Sequence, residues 1–189
     1  MISMNNLQHD ELLTDPLGYI LDFCEKDCEI EDFRYEVANL IKSACSHQKY
    51  GNSENYFFNY RCLIKILESC HTLYNRGLTP NHITSFTKAN NQKFSKEIDG
   101  YFKTTYRTLT KKEIQNLNLF FEDFFCFKSV NEWSLTFSQL VEYAYRRHTI
   151  DEVLEEGSIV IILSEYIEKL IEAVYLIHYC NREIETQIQ

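Results

Sequence analysis

A glutamate and a histidine stand three residues apart in Glu68-Ser-Cys-His71, with Arg61 one further helical offset away. Side chains at such spacings share one flank of a helix. Glu-x-x-His is also the spacing by which one helix delivers two ligands to a carboxylate-bound di-metal centre. That chemistry needs a second Glu-x-x-His and two further inward glutamates, and the chain has no second copy. Glu68 and His71 therefore read as a polar helix flank, with a metal site as the alternative. Cys45-Ser-His47 and Cys70-His71 bring thiols and imidazoles together, but no regular zinc spacing surrounds them. There is no Gly-rich phosphate loop, Gly-x-Ser-x-Gly elbow or His-Glu-x-x-His motif. No cofactor is expected, and the catalytic set reads as none.

Arg146-Arg147-His148 closes a helical segment. Cations at that end complement the helix dipole. The segment from Val141 through Arg146, Arg147 and His148 to Leu170 also resembles the layout of helical ribonucleases of the HEPN class, which carry an Arg, several residues and a His before a long closing helix. The resemblance implies RNA cleavage by Arg146, Arg147 and His148. The chain departs from the layout in one respect: both arginines lie too near the histidine. Phe137 to Gly157 has the length of a helix-turn-helix, yet its would-be recognition helix holds Asp151, Glu152, Glu155 and Glu156, which phosphates repel.

Charge is sorted along the chain. Asp22 to Glu36 holds seven carboxylates against Lys26 and Arg34, and Asp151 to Glu172 holds seven against Lys169. Between them, Lys88 to Lys112 is basic, with Phe94, Tyr101, Phe102 and Tyr106 interleaved. Lys103, Arg107 and Tyr101 have the chemistry to hold phosphates and stack bases, but a chain of net charge −9 does not attract nucleic acid as a whole. The leading expectation is a non-enzymatic helical protein-binding module, of regulator, inhibitor, immunity or effector type. Its acidic surface, Glu31, Asp32, Glu155 and Glu156, would engage a basic protein partner. The alternative is a helical-bundle enzyme, using the Arg146–His148 group or the Glu68/His71 pair.

The elements that must position these residues are helices. Ile30, Phe33, Val37, Leu40 and Ala44 recur by threes and fours, as do Tyr56, Tyr60, Leu63, Leu67, Cys70 and Tyr74. Pro16 opens a first helix ending near Asp27, which is read as the cap of the second. Gly51 closes the second segment; Gly77 and Pro80 end the third, which is expected over Ser53 to Arg76. Thr110 and Glu113 form a capping box before Ile114, Leu117, Phe121 and Phe124. Further helices are expected over Ser134 to His148 and from Ser158 to about Arg182. The last, apolar on more than one side, is the candidate central helix. Ile159–Val160–Ile161–Ile162 could pass for a buried strand, but the pattern continues helically through Tyr166, Ile167, Leu170, Val174 and Ile177.

The fold class is thus all-α: one helical bundle of roughly six to nine helices over residues 15–182, a flexible stretch over 1–14 and a frayed tail over 183–189. Five Gly and two Pro are too few for the turns of an all-β fold, and 44% hydrophobic residues exclude disorder. Seven Cys cannot all pair within one chain, so they are read as reduced thiols of a cytoplasmic protein. The N-terminus lacks the pattern of a signal peptide, and charges interrupt the longest apolar run, so no membrane span is expected.

Overall fold

The computed structural model describes residues 15–79, 107–146, 149–150 and 158–188, with side chains of the last stretch described over 159–181. Seven α-helices and one π-helix occur among the described residues, and no strand does. They are α1 (Pro16–Asp22), a π-helix (Phe23–Asp27), α2 (Ile30–Ala44), α3 (Asn55–Asn75), α4 (Lys111–Gln115), α5 (Leu117–Phe127), α6 (Val130–Tyr145) and α7 (Ser158–Ile188). The all-helical class follows from the sequence pattern. Residues 1–14, expected from the sequence to be flexible, and most of the basic segment 88–112 lie outside the described residues.

Local chemistry sets the helix ends. Asp15 caps α1 by accepting from the Gly18 N–H at 2.8 Å, with Pro16 at the first helical position. Asp27 does not cap α2: it ends the π-helix, and Glu29 precedes the first turn of α2 without a side-chain cap bond. Leu78 N–H bonds the Leu73 carbonyl at 2.9 Å and Gly77 N–H bonds Tyr74 at 3.0 Å, with Gly77 at φ +65°. This doubled closure stops α3 and uses the left-handed conformation that glycine adopts without strain. Thr110 and Glu113 form the expected capping box on α4. A second one, Ser129 with Glu132, opens α6 four residues before the expected start at Ser134.

The core faces are those of the three- and four-residue stripes, with additions. Phe33, Val37, Leu40 and Ala44 of α2 are buried, and so are Tyr56, Leu63, Leu67 and Cys70 of α3. Cys62, Ile66 and Leu73 widen the α3 face. Phe124 stacks on Trp133, ring centroids 4.4 Å apart, and Trp133 Nε1 donates to the Phe124 carbonyl at 3.0 Å. That bond locks the α5–α6 corner and satisfies the indole, which is fully buried. The most extensive pairings join α6 to α2 and to α3, whereas α7 lies more lightly along α2, α1 and α3. The expectation that the C-terminal helix forms the centre of the bundle does not follow from these pairings. Ala173 to Ile177 of α7 are nonetheless all buried. Ile159 to Leu163 are helical, as the continued pattern required, but Ile161 and Ile162 face outward rather than into the core.

Candidate functional site

A glutamate inside the apolar run Leu170–Ile177 organises the neighbourhood of the acidic segments. Glu172 is fully buried and accepts from Arg34 Nη2. It also accepts from three consecutive backbone N–H groups: Arg107 at 2.7 Å, Thr108 at 3.1 Å and Leu109 at 2.8 Å. Arg34 is itself 8% exposed; its Nη1 donates to Glu31 at 2.9 Å. The Arg107 guanidinium reaches Glu31 at 3.2 Å. Arg34 therefore binds a carboxylate from each acidic run, and Arg107, at the edge of the basic segment, joins the same group. A buried charge is tolerated only with such saturation of its lone pairs.

Glu113 gives a second internal pairing. It accepts from Lys169 Nζ at 3.0 Å and from the Thr110 N–H at 2.6 Å. Burial works against its ionised form, but the bonds from Thr110 and Lys169 outweigh it and hold its carboxyl below the usual range. Two of the sequence-predicted charges, Glu31 and Arg107, are thus structural partners as well as surface groups. Asp32 is exposed, as are Asp27 and Glu29, and no cation is paired with these three among the described residues. Tyr101, Lys103, Glu155 and Glu156 lie outside the described residues.

Above the Arg34–Glu172 pair, α2 and α7 leave a groove with two lobes. The inner lobe, about 260 Å³, lies among Tyr35, Val37, Ala38, Ile167 and Ile171, with Arg34 and Arg107 at its polar end. The outer lobe, about 430 Å³, runs past Val160, Ile161 and Thr108. Ile41, Ser164 and Glu168 line both, so the lobes adjoin. Ile161 is 73% exposed at the outer end. Glu168 stands 3.6 Å from Arg34 Nε, beyond hydrogen-bond reach, and that nitrogen is buried without an acceptor.

The candidates for catalysis are placed less favourably. Arg146 ends α6, where its guanidinium pairs with Glu142 and lies 5.7 Å from the Tyr143 ring. Its carbonyl accepts from Lys49 at 2.8 Å. Arg147 and His148 lie outside the described residues. His71 packs edge-on against Phe125, centroids 4.9 Å apart, and Asn75 lies 3.0 Å from its Nε2. Partial burial lowers its pKa. Among the described residues no three His, Cys, Asp or Glu side chains converge as a metal site. Nor is any described helix long and apolar enough to cross a membrane.

The chain matches no known protein family, curated protein or solved structure. The reading of its function therefore rests on the arrangement of its own side chains. Of that arrangement, Arg34 and Glu172 were missed as a unit by the sequence reading. A signal was present: Arg34 falls on the face of Val37 and Ile41, and Glu172 is the one charge between Leu170 and Ile177. A charge at a core register position asks for a buried partner.

Proposed function

We propose that this chain is a non-enzymatic helical protein-binding module whose acidic surface engages a basic partner. One observation carries the reading. With Glu31 and Glu172 already engaged by Arg34 and Arg107, the exposed carboxylates of Asp27, Glu29 and Asp32 remain without a paired cation where the π-helix meets α2. Exposed unpaired carboxylates contribute little to folding but project a field that steers an oppositely charged protein.

The test is affinity capture from the native source, followed by association kinetics with the captured partner. Reversal of Asp27, Glu29 and Asp32 to Lys should lower the on-rate by about tenfold or more and leave the circular dichroism spectrum unchanged. The wild-type on-rate should fall as salt rises, because the screening length drops from about 10 Å at 0.1 M to about 3 Å at 1 M. An on-rate indifferent to both salt and the triple reversal would remove the acidic corner from the interaction.

A further inference from the structure

We infer that the groove between α2 and α7 is the docking site for an amphipathic helix of a partner protein, with cationic side chains along the edge that faces Glu165 and Glu168. The inference deepens the proposed function and rests on it.

The groove has an apolar floor, with charged side chains at its inner end and along its edges. Tyr35, Ala38 and Ile41 line it from α2; Ile161, Ile167 and Ile171 line it from α7. Ile161, with 73% of its surface exposed, and Tyr35, with 63%, are side chains that water disfavours. A trough between two helices accepts a third helix, whose residues at i, i+3, i+4 and i+7 enter it as one stripe. An extended segment is a poor occupant. Both walls are helical, so their backbone groups are already bonded internally, and an extended guest would bury N–H and C=O groups without partners. The guest must satisfy its own backbone, which a helix does.

The two walls differ in charge. The α7 wall presents Glu165 and Glu168, with side chains 58% and 40% exposed. Glu165 reaches Lys169 only at 3.6 Å, and Glu168 reaches Arg34 Nε only at 3.6 Å. Both carboxylates keep acceptor capacity toward the groove. The cations of the opposite side are accounted for differently: Arg34 serves Glu31 and Glu172, Arg107 serves Glu31, and Lys42 is exposed at the outer lobe. A guest with Lys or Arg along one edge matches Glu165 and Glu168; its other edge must be neutral or acidic to pass Lys42. A second copy of this chain is a poor guest, because each copy carries a net charge of −9 and repels the other.

The probe is a fluorescent helical peptide of about 18 residues, or five turns, with a leucine stripe flanked by lysine. Its twin carries the same stripe flanked by glutamate. Anisotropy should show the lysine peptide binding wild-type protein at least about tenfold more tightly than the twin. Ile161→Glu should weaken it by a similar factor, and the pair Glu165→Lys with Glu168→Lys should reverse the preference between peptides. Ile161 and Glu165 are exposed, so Ile161→Glu and Glu165→Lys should keep the wild-type circular dichroism spectrum; Glu165→Lys alone, which leaves the Glu168 contact with Arg34 intact, should already narrow the preference. Equal binding of both peptides, binding of neither, or binding untouched by Ile161→Glu overturns the inference. So does a wild-type dimer that Ile161→Glu dissociates, which would make the guest a second copy. A fall in the melting temperature of the isolated Ile161→Glu variant would make it a segment of this same chain. The acidic corner is tested by other residues, so capture can remain sensitive to Asp27, Glu29 and Asp32 while the groove fails.

Discussion

Arg34 and Glu172, separated by 138 positions in the chain, form a buried ion pair between α2 and α7 in which the carboxylate also binds the backbone of Arg107, Thr108 and Leu109. The pair joins three parts of the chain whose charges look segregated in sequence. Its surroundings saturate the carboxylate, so removing its charge leaves several donors unmet.

Glu172→Gln should therefore destabilise the protein by about 3–5 kcal/mol, the range for breaking a buried pair by changing one partner. Glu31→Gln, at a half-exposed site on the same arginine, should cost about 1 kcal/mol or less. Urea denaturation of the two variants gives the comparison. Equal costs would mean that Arg34 draws its support from Glu31 rather than from Glu172.

Gly51 and Gly77 both adopt positive φ, at 69° and 65°. A Cβ at Gly77 would meet nothing within 4 Å, so Gly77→Ala should cost only the conformational penalty, about 1–2 kcal/mol. At Gly51 the added carbon would lie 2.8 Å from the Asn39 side-chain nitrogen, and Asn39 is buried. Gly51→Ala should be the more damaging of the two. Melting temperatures measured side by side decide the order.

The thiols should separate by reactivity. All seven are free; Cys126 is exposed, and Cys62 and Cys70 are buried. Burial pushes the Cys62 thiol up to about 12, and those of Cys24 and Cys70 higher still. Ellman's reagent on native protein should label Cys126 first, with the buried Cys62 and Cys70 reacting only as fast as the bundle opens. Denatured protein prepared without reductant should titrate to seven. Rapid labelling of Cys70 in the native state would contradict its burial.

Glu113 should contribute to acid sensitivity. Its folded-state pKa lies below its unfolded value, so its stabilising effect is complete above the unfolded value and is lost as pH falls through the folded one. Glu113→Gln should lower stability at pH 7 and flatten the loss between about pH 4.3 and lower pH. Urea midpoints at pH 7 and pH 3 report the difference. An unchanged acid limb would assign the Lys169–Glu113 contact no role in linkage.

The helices were legible because their signals are local. Three- and four-residue spacing located the stripes of α2 and α3, Thr110 and Glu113 marked a helix start, and Gly77 marked a stop. Each of these depends on residues within one or two turns, which is the range over which backbone hydrogen bonds and caps act. Where the sequence reading slipped, two local signals competed. Asp27 has the chemistry of a cap, but the π-helix runs through it and α2 begins after Glu29.

The sequence by itself determined the helical class, the apolar stripes and the sorting of charge into blocks, since composition and periodicity need no knowledge of what lies across the core. Only the tertiary structure decided which charges are interior and which are surface. Glu172 and Asp32 belong to similar acidic runs, yet one is fully buried against Arg34 and three backbone amides while the other stands in solvent. The distinction depends on the crossing of α2 and α7 and on the return of the chain at Arg107. Those contacts span large sequence separations, where spacing carries no record of the partner.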